Sequence, residues 1–322
     1  MISVIIPAHN AAHTLPDCLA ALQQQTAVPT PYEIIVIDDG SSDGTGDLAA
    51  AAGARVIRQP KSGPAAARNA GIRAAQGEIT CFTDADCIPT ATWVAEITAP
   101  LRQDPSITAS KGAYCTRQRQ ITARFVQLEY EDKYDRLQAY HRITFMDFYS
   151  AACRRQALLD NDGFDERFPN SEDRELSYRL AARGYQMVFQ PAALVNHRHA
   201  YTVPDYFRKK IMNGYWTAQA VRHFPERTVE DSYTPQVMKL QIGLMALIIA
   251  TAVSGALLPP FLLLSGLAAF VFVVTTLPFT RKAWHKDKLV ALCSPTLLAL
   301  RALALGIGYT WGLLRPLPEP TP

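Results

Sequence analysis

The chain has 322 residues and a formal charge of +3, from 32 basic and 29 acidic side chains. Charges so evenly matched exclude the basic stripe of a nucleic-acid-binding protein, and six cysteines without C-x-x-C spacing point to free thiols rather than a zinc site or a disulfide framework. A mean hydropathy near zero averages two unlike parts, because residues 1–235 carry nearly all the acids and long apolar runs begin at Leu240. The expectation is a soluble domain over 1–235 followed by a membrane domain over 236–322.

Residues 2–7, 32–38, 54–58 and 78–83 are short β-branched runs separated by helical segments, the pattern of βαβ units around a parallel sheet. The opening run reads as a strand rather than a leader, which keeps this domain on the cytoplasmic side. Leu15, Cys18, Leu19 and Leu22 recur at i, i+3, i+4 and i+7, and Thr14 with Asp17 has the form of a capping box, so a helix is expected there. Residues 90–152 mix helix and strand signals and extend the sheet in an order the sequence does not fix. Residues 171–183 read as a helix stopped by Gly184, and 185–190 as a strand stopped by Pro191.

Residues 240–258 and 261–279 are apolar runs of 19 residues each, near the roughly 20 that span a bilayer. They form a hairpin turning at Pro259-Pro260. The basic segment 281–288 belongs on the cytoplasmic side, where it can meet anionic headgroups, as can Arg208, Lys209 and Lys210. Residues 289–314 are apolar but interrupted by Pro295 and Arg301. They read either as an interfacial helix plus a short span or as one tilted helix, with Arg301 either snorkelling or touching a lipid or acceptor phosphate.

In an open α/β sheet ligands bind beyond the carboxyl ends of the strands, so the residues following each strand carry the candidate chemistry. Pro7-Ala8-His9-Asn10 follow the first, Asp38-Asp39-Gly40-Ser41-Ser42-Asp43-Gly44-Thr45 the second, and Asp84-Ala85-Asp86 the fourth. Asp84 and Asp86 can face one side of an extended turn and hold a hard divalent cation, Mn2+ or Mg2+. They also fit a solvated acidic turn. Asp38 and Asp39 can accept from base or ribose donors, and equally suit ordinary turn chemistry. Arg68, in an alanine-rich helix, can reach a phosphate or a base, or be a plain surface residue. Glu172 and Asp173 fall in the first turn of a helix, where the dipole keeps a carboxylate ionised, a setting for a general base. His197 can complete a metal site built by carboxylates, the alternative being a surface-loop histidine.

Taken in order, Pro7-Ala8-His9-Asn10, the Asp38 to Thr45 run, Ala67-Arg68-Asn69, Asp84-Ala85-Asp86, Gly163-Phe164-Asp165-Glu166 and Glu172-Asp173 resemble glycosyltransferase family 2 over residues 1–200. The resemblance implies a GT-A fold, an α/β Rossmann-like domain with a mostly parallel sheet flanked by helices, here followed by a C-terminal transmembrane helical region. It implies inverting transfer from a nucleotide-sugar, leaning toward UDP, with Asp84 and Asp86 ligating the metal and Asp173 as base. Pro7, Ala8, Asn10, Asp38, Asp39, Arg68 and Ala85 fall on the nucleotide side, and Gly163, Phe164, Asp165, Glu172 and Trp216 on the acceptor side. Processive members carry Q-x-x-R-W near the membrane. Here Asn213-Gly214-Tyr215-Trp216 stand instead, which implies addition of a single sugar to a lipid-linked saccharide or polyprenyl phosphate. The glycine-rich, arginine-containing loop of sugar-1-phosphate nucleotidylyltransferases is missing from the sequence. The rival from another class is a non-catalytic membrane scaffold retaining a nucleotide-binding domain.

Overall fold

The computed structural model describes residues 1–168, 171–223 and 235–315. Four β-branched runs become β1 (Ile2–Ala8), β2 (Tyr32–Asp39), β3 (Arg55–Gln59) and β4 (Ile79–Thr83), each within a residue of the bounds its periodicity predicts. β1 pairs in parallel with both β2 and β4, and β2 with β3, so the polar residues after these strands reach one edge. Between them run α1 (Leu15–Gln23), α2 (Thr45–Ala51) and α3 (Pro64–Ala74). α1 buries Leu15, Cys18, Leu19 and Leu22, as the i, i+3, i+4 spacing requires. The capping box does not form. Thr14 already has helical dihedrals (φ −116°, ψ −37°), so its hydroxyl makes no cap bond and lies 3.4 Å from the Ala11 carbonyl.

Residues 90–152, whose order the sequence left open, supply α4 (Trp93–Gln103), β6 (Ile107–Cys115), α5 (Ile121–Leu137) and the start of β7 (Ser150–Arg154), after the short β5 (Cys87–Pro89). α6 (Arg155–Leu159), α7 (Glu172–Ala182) and β8 (Gln186–His197) follow, giving a sheet ordered β3-β2-β1-β4-β7-β6-β8-β5. β7 enters antiparallel to β4 and β6, and β5 antiparallel to β8. Among the described residues four pairings are parallel and three antiparallel, so parallel pairing holds only a bare majority. Pro191 does not end the last strand. β8 continues to His197 because its register against β6 slips between Lys111 and Ala113, and an exposed proline at that irregularity forfeits no ladder bond.

Beyond the sheet lie α8 (Val203–His223), α9 (Gln236–Gly255), α10 (Pro260–Lys286) and α11 (Lys288–Leu314). The last three are long and apolar enough to cross a membrane. α11 is one continuous helix through Pro295. It packs along α8 at glycines, since a Cβ at Gly308 would collide with the Ile211 carbonyl and one at Gly312 with that of Tyr215.

A helix of the sheet domain and the C-terminal helices share a core in which Phe125 and Leu128 of α5 meet Tyr206 of α8 and Val290, Leu297 and Leu298 of α11. Ion pairs reinforce it. Lys282 lies 2.7 Å from Asp135, Asp287 lies 2.6 Å from Arg124, and Lys286 pairs with Glu131. The expectation that the 281–288 segment faces headgroups is corrected for Lys282 and Lys286, whose charges are taken up by α5. Lys210 likewise turns inward to Glu129 at 3.1 Å, and Arg301 is buried with its guanidinium 2.9 Å from Glu129.

Candidate active site

At the edge where β1, β2 and β4 end, strand alternation sends Asp38 and Asp39 to opposite faces. Asp39 is buried beside the cleft. It accepts from Gln59 Nε2 and from the backbone N–H groups of Ser62 and Gly63, all at 2.8 Å, which fixes the entry to α3. Three donors on a carboxylate leave it one lone pair for a ligand. Asp38 instead accepts from Ser41 N at 3.0 Å and lies 3.8 Å from Arg58, outside the cleft. Pro7 and Ala8 line the cleft floor. Asn10, at φ +49°, clasps the neighbouring loop by accepting from Ser42 N at 2.9 Å.

The turn after β4 carries Asp84, Ala85 and Asp86, pinned where the Asp84 carbonyl accepts from Cys87 N at 3.0 Å. Ligand atoms of Asp84, Asp86 and Cys87 lie within 4.8 Å of one another. Burial holds the Cys87 thiol well above its usual range, so it stays protonated and does not count as a ligand. His197 stands beside them, its Nε2 3.5 Å from Asp86 Oδ2.

The orientation of His197 follows from a chain of bonds. The Gln127 amide nitrogen donates to the Tyr114 carbonyl (3.0 Å) and to Glu131 (3.2 Å), so its oxygen accepts from His199 Nε2 at 2.9 Å. Burial, aided by the nearby His197, pushes His199 down to about 3, which keeps it neutral. Its Nδ1 is therefore bare and accepts from His197 Nδ1–H at 3.1 Å. That leaves the lone pair of His197 Nε2 toward Asp86, open to a cation. Two carboxylates and one imidazole nitrogen fit a hard divalent ion.

Arg68 lines the cavity and is buried, with its guanidinium turned to carboxylates. It donates to Glu172 at 2.6 Å and to Asp84 at 3.0 Å, stands 3.6 Å from Asp173 Oδ1, and lies over the Phe164 ring. Three carboxylates thus share one guanidinium. The uncompensated charge appears as raised proton affinity: burial pushes Asp84 and Glu172 up, and pushes Asp173 up to about 8 against the pull of Arg68. A divalent cation would relieve the same imbalance. Asp173 accepts from Phe148 N at 3.0 Å through Oδ2, while its buried Oδ1 has no hydrogen-bond donor.

Gly163, Phe164 and Asp165 do not line the cleft. They form a bracket behind it, where Asn69 accepts from Phe164 N (2.8 Å) and donates to Phe164 O (2.9 Å), and Asp165 is bound to Arg167. At φ +65° Gly163 lies so close to the Asn69 side-chain oxygen that a Cβ would collide with it. Glu172 and Trp216 do line the cavity, which has a volume of about 1160 Å³ and continues toward the C-terminal helices. Sequence reasoning missed Asp147, held at 2.7 Å by the fully buried Lys111, and Glu129, Lys133 and Lys210, which line the same cavity. The one available signal was the placement of Phe125, Glu129 and Lys133 on a single face of α5, hidden because residues 90–152 had no assigned elements.

The Glycosyl transferase family 2 model matches residues 3–160. The chain is 30% identical over 194 residues to an uncharacterized glycosyltransferase of Mycobacterium tuberculosis, covering 58% of this chain and 82% of that one. It is 29% identical over 249 residues to the pre-mycofactocin glycosyltransferase of the same organism, covering 70% of this chain and 49% of that protein, so it spans about half the length of that curated relative. A mannosyltransferase from Pyrobaculum calidifontis has the same fold, with a TM-score of 0.62 at 20% identity over 96% of this chain and 87% of that one. Fold and site together define a GT-A-type glycosyltransferase domain. The chain belongs to glycosyltransferase family 2.

Proposed function

We propose that this protein moves one sugar from a nucleotide-sugar, preferentially a UDP-sugar, to a membrane-associated acceptor in an inverting, cation-dependent step. The observation that carries the reading is Asp173: one carboxylate oxygen is oriented by Phe148 N–H, and the other is buried without a donor on the wall of the cavity that holds Asp84 and Asp86. Asp39 and the Pro7-Ala8 floor serve the nucleoside. Asp84, Asp86 and His197 would hold Mn2+ or Mg2+, which when bound neutralises the diphosphate of the leaving group. Asp173 Oδ1 takes the proton from an acceptor hydroxyl. The freed oxygen forms its bond to the anomeric carbon as the bond to the diphosphate oxygen breaks on the opposite face. Glu172, bonded to Arg68, keeps that guanidinium from neutralising Asp173.

Asn213-Gly214-Tyr215-Trp216, in place of the processive motif, supports a single addition, and the apolar helices α9 to α11 support an acceptor at the membrane. In this reading the catalytic part faces the cytoplasm from the inner membrane. The Pyrobaculum enzyme is described in complex with GDP-mannose and Mn2+, so the donor test spans several nucleotides. UDP-, GDP- and TDP-sugars are offered in detergent with membrane lipid extract and Mn2+, to the wild type and to Asp86→Ala. Turnover of one donor that the substitution abolishes supports the proposal. A folded protein that neither binds nor turns over any donor favours the non-catalytic scaffold.

A further inference from the structure

α8 and α11 run side by side in the same direction. A Cβ at Gly214 would meet the Leu305 carbonyl, one at Gly308 that of Ile211 and one at Gly312 that of Tyr215, so residue numbers rise together along the contact. Over this stretch α8 stays with the sheet domain. Lys210 reaches Glu129 at 3.1 Å, Arg174 of α7 donates to Thr217 at 2.9 Å, and Lys210, Asn213 and Thr217 line the cavity. α11 is bound along its length as well: Asp287, which caps its start, lies 2.6 Å from Arg124, Arg301 donates to Glu129 at 2.9 Å, and Gln219 donates to the Gly312 carbonyl at 2.9 Å. At 27 residues α11 is roughly 40 Å long, more than the hydrocarbon thickness of a bilayer. Stood upright in that layer, it would carry into hydrocarbon the polar side of α8 and the sheet-domain groups bound to it, which the desolvation of charged and hydrogen-bonding groups opposes.

α9 and α10 differ. They bury 11% and 17% of their most apolar stretches, against 44% for α11. α11 meets this hairpin near one end, where Arg301 donates to Gln241 at 2.7 Å and a Cβ at Gly306 would touch Ile242, both within the first two turns of α9. The face of α11 opposite Arg301 and Gly312 carries Leu289, Leu292, Ile307, Trp311 and Leu314, which are 41–79% exposed. At 3.6 residues per turn these five fall within about 100° of one another.

We infer that α11 lies along the membrane instead of crossing it, with this apolar stripe sunk into the lipid leaflet nearest the sheet domain and α9 and α10 as the two spans. Continuity fixes lipid as the partner. Asp287 alone separates α11 from α10, and Arg281 and Lys288 stand exposed on either side of it, where a span leaves hydrocarbon for the headgroups. Apolar side chains on one face and bound polar groups on the other are what an in-plane helix requires, and Trp311 suits the headgroup boundary. The cavity wall at Ile242, Leu305 and Tyr309 then sits at headgroup depth.

The test uses the full chain in sealed liposomes of phosphatidylcholine and phosphatidylglycerol, sorted on an N-terminal tag so that the sheet domain faces outward. Cys115→Ser and Cys293→Ser form the background, since the other four cysteines are buried. Single cysteines are placed at exposed positions: Gln103→Cys on the sheet domain, Leu257→Cys between α9 and α10, and Lys288→Cys and Arg315→Cys at the two ends of α11. A membrane-impermeant maleimide should label both ends of α11 to the same extent as Gln103→Cys in intact vesicles, and Leu257→Cys only after permeabilisation. Protection of Arg315→Cys until permeabilisation would show that α11 crosses and overturn the inference. Labelling of Leu257→Cys in intact vesicles would overturn it too, by removing the two spans. Thr310→Cys, also exposed, reports the same end if Arg315→Cys fails to fold. Nitroxides at Leu292→Cys and Ile307→Cys should be reached by oxygen in preference to a nickel chelate, at one common depth of roughly 5–10 Å into the headgroup boundary. Preference for the chelate would put the stripe in water and overturn lipid as its partner.

Discussion

His197 and His199 face each other through their Nδ1 atoms at 3.1 Å, a contact that holds one proton, donated by His197. Gln127 decides which ring carries it, because its oxygen accepts from the far nitrogen of His199. Gln127→Leu removes that acceptor and frees His199 to change tautomer, turning the His197 pair into an N–H to N–H clash or forcing His197 to rotate. The expected outcome is a loss of Mn2+ affinity of roughly ten- to a hundredfold, read by electron paramagnetic resonance of free Mn2+ without any turnover. Unchanged affinity would mean that His197 is not a ligand or that its orientation is set elsewhere.

Asp173 makes the fold pH-sensitive in a definite direction. Its affinity for a proton is raised from the usual 3.8 to about 8, chiefly by burial. Below 3.8 both folded and unfolded chains hold this proton, and nothing is lost. Between 3.8 and 8 the unfolded chain ionises while the folded one resists, so stability falls as pH rises through this window. Asp173→Asn removes the effect. The variant should match the wild type near pH 4 in thermal unfolding and exceed its Tm by about 2–4 °C near pH 8. A difference that shrinks toward high pH would contradict the burial account.

The same group shapes the rate. A base must be ionised before it can accept a proton, so kcat/KM should rise about tenfold per pH unit on the acid side and level off at or below pH 8. The bound cation adds positive charge nearby and moves the midpoint down from the metal-free value. A profile flat from pH 5 to 8 would remove Asp173 from the proton transfer.

α8 and α11 meet backbone to backbone at Gly308, where any side chain meets the Ile211 carbonyl. Gly308→Val should cost about 1–3 kcal/mol through overpacking, seen as a lowered midpoint in detergent thermal unfolding. Gly243, with open space around its Cβ position, is the control, and Gly243→Ala should be near neutral.

Much of this was legible in the residues. Short β-branched runs gave β1 to β4, and the spacing of Leu15, Cys18, Leu19 and Leu22 gave the buried face of α1, because one hydrophobic pattern decided each element. Asp84 and Asp86 were legible because strand ends in such sheets point to the ligand edge. Asp38 was not separable from Asp39, since a turn can carry either outward, and only the observed strand length put Asp39 on the cleft side. Gly163, Phe164 and Asp165 looked like site residues but hold Asn69 and Arg68 from behind, a distinction that depends on long-range packing. The course of β8 past Pro191 depended on an irregularity against β6, and the docking of α5 on α11 on contacts 172 residues apart between Glu129 and Arg301. Neither leaves a local trace.

In the proposed mechanism Asp173 takes the acceptor proton while the donor is held elsewhere. Its most direct test is Asp173→Asn assayed at saturating Mn2+ for both donor binding and single-turnover transfer, using the donor identified from the panel. A donor Kd within about twofold of wild type and transfer slowed by roughly a thousandfold or more are expected. Transfer within about tenfold of wild type would contradict it.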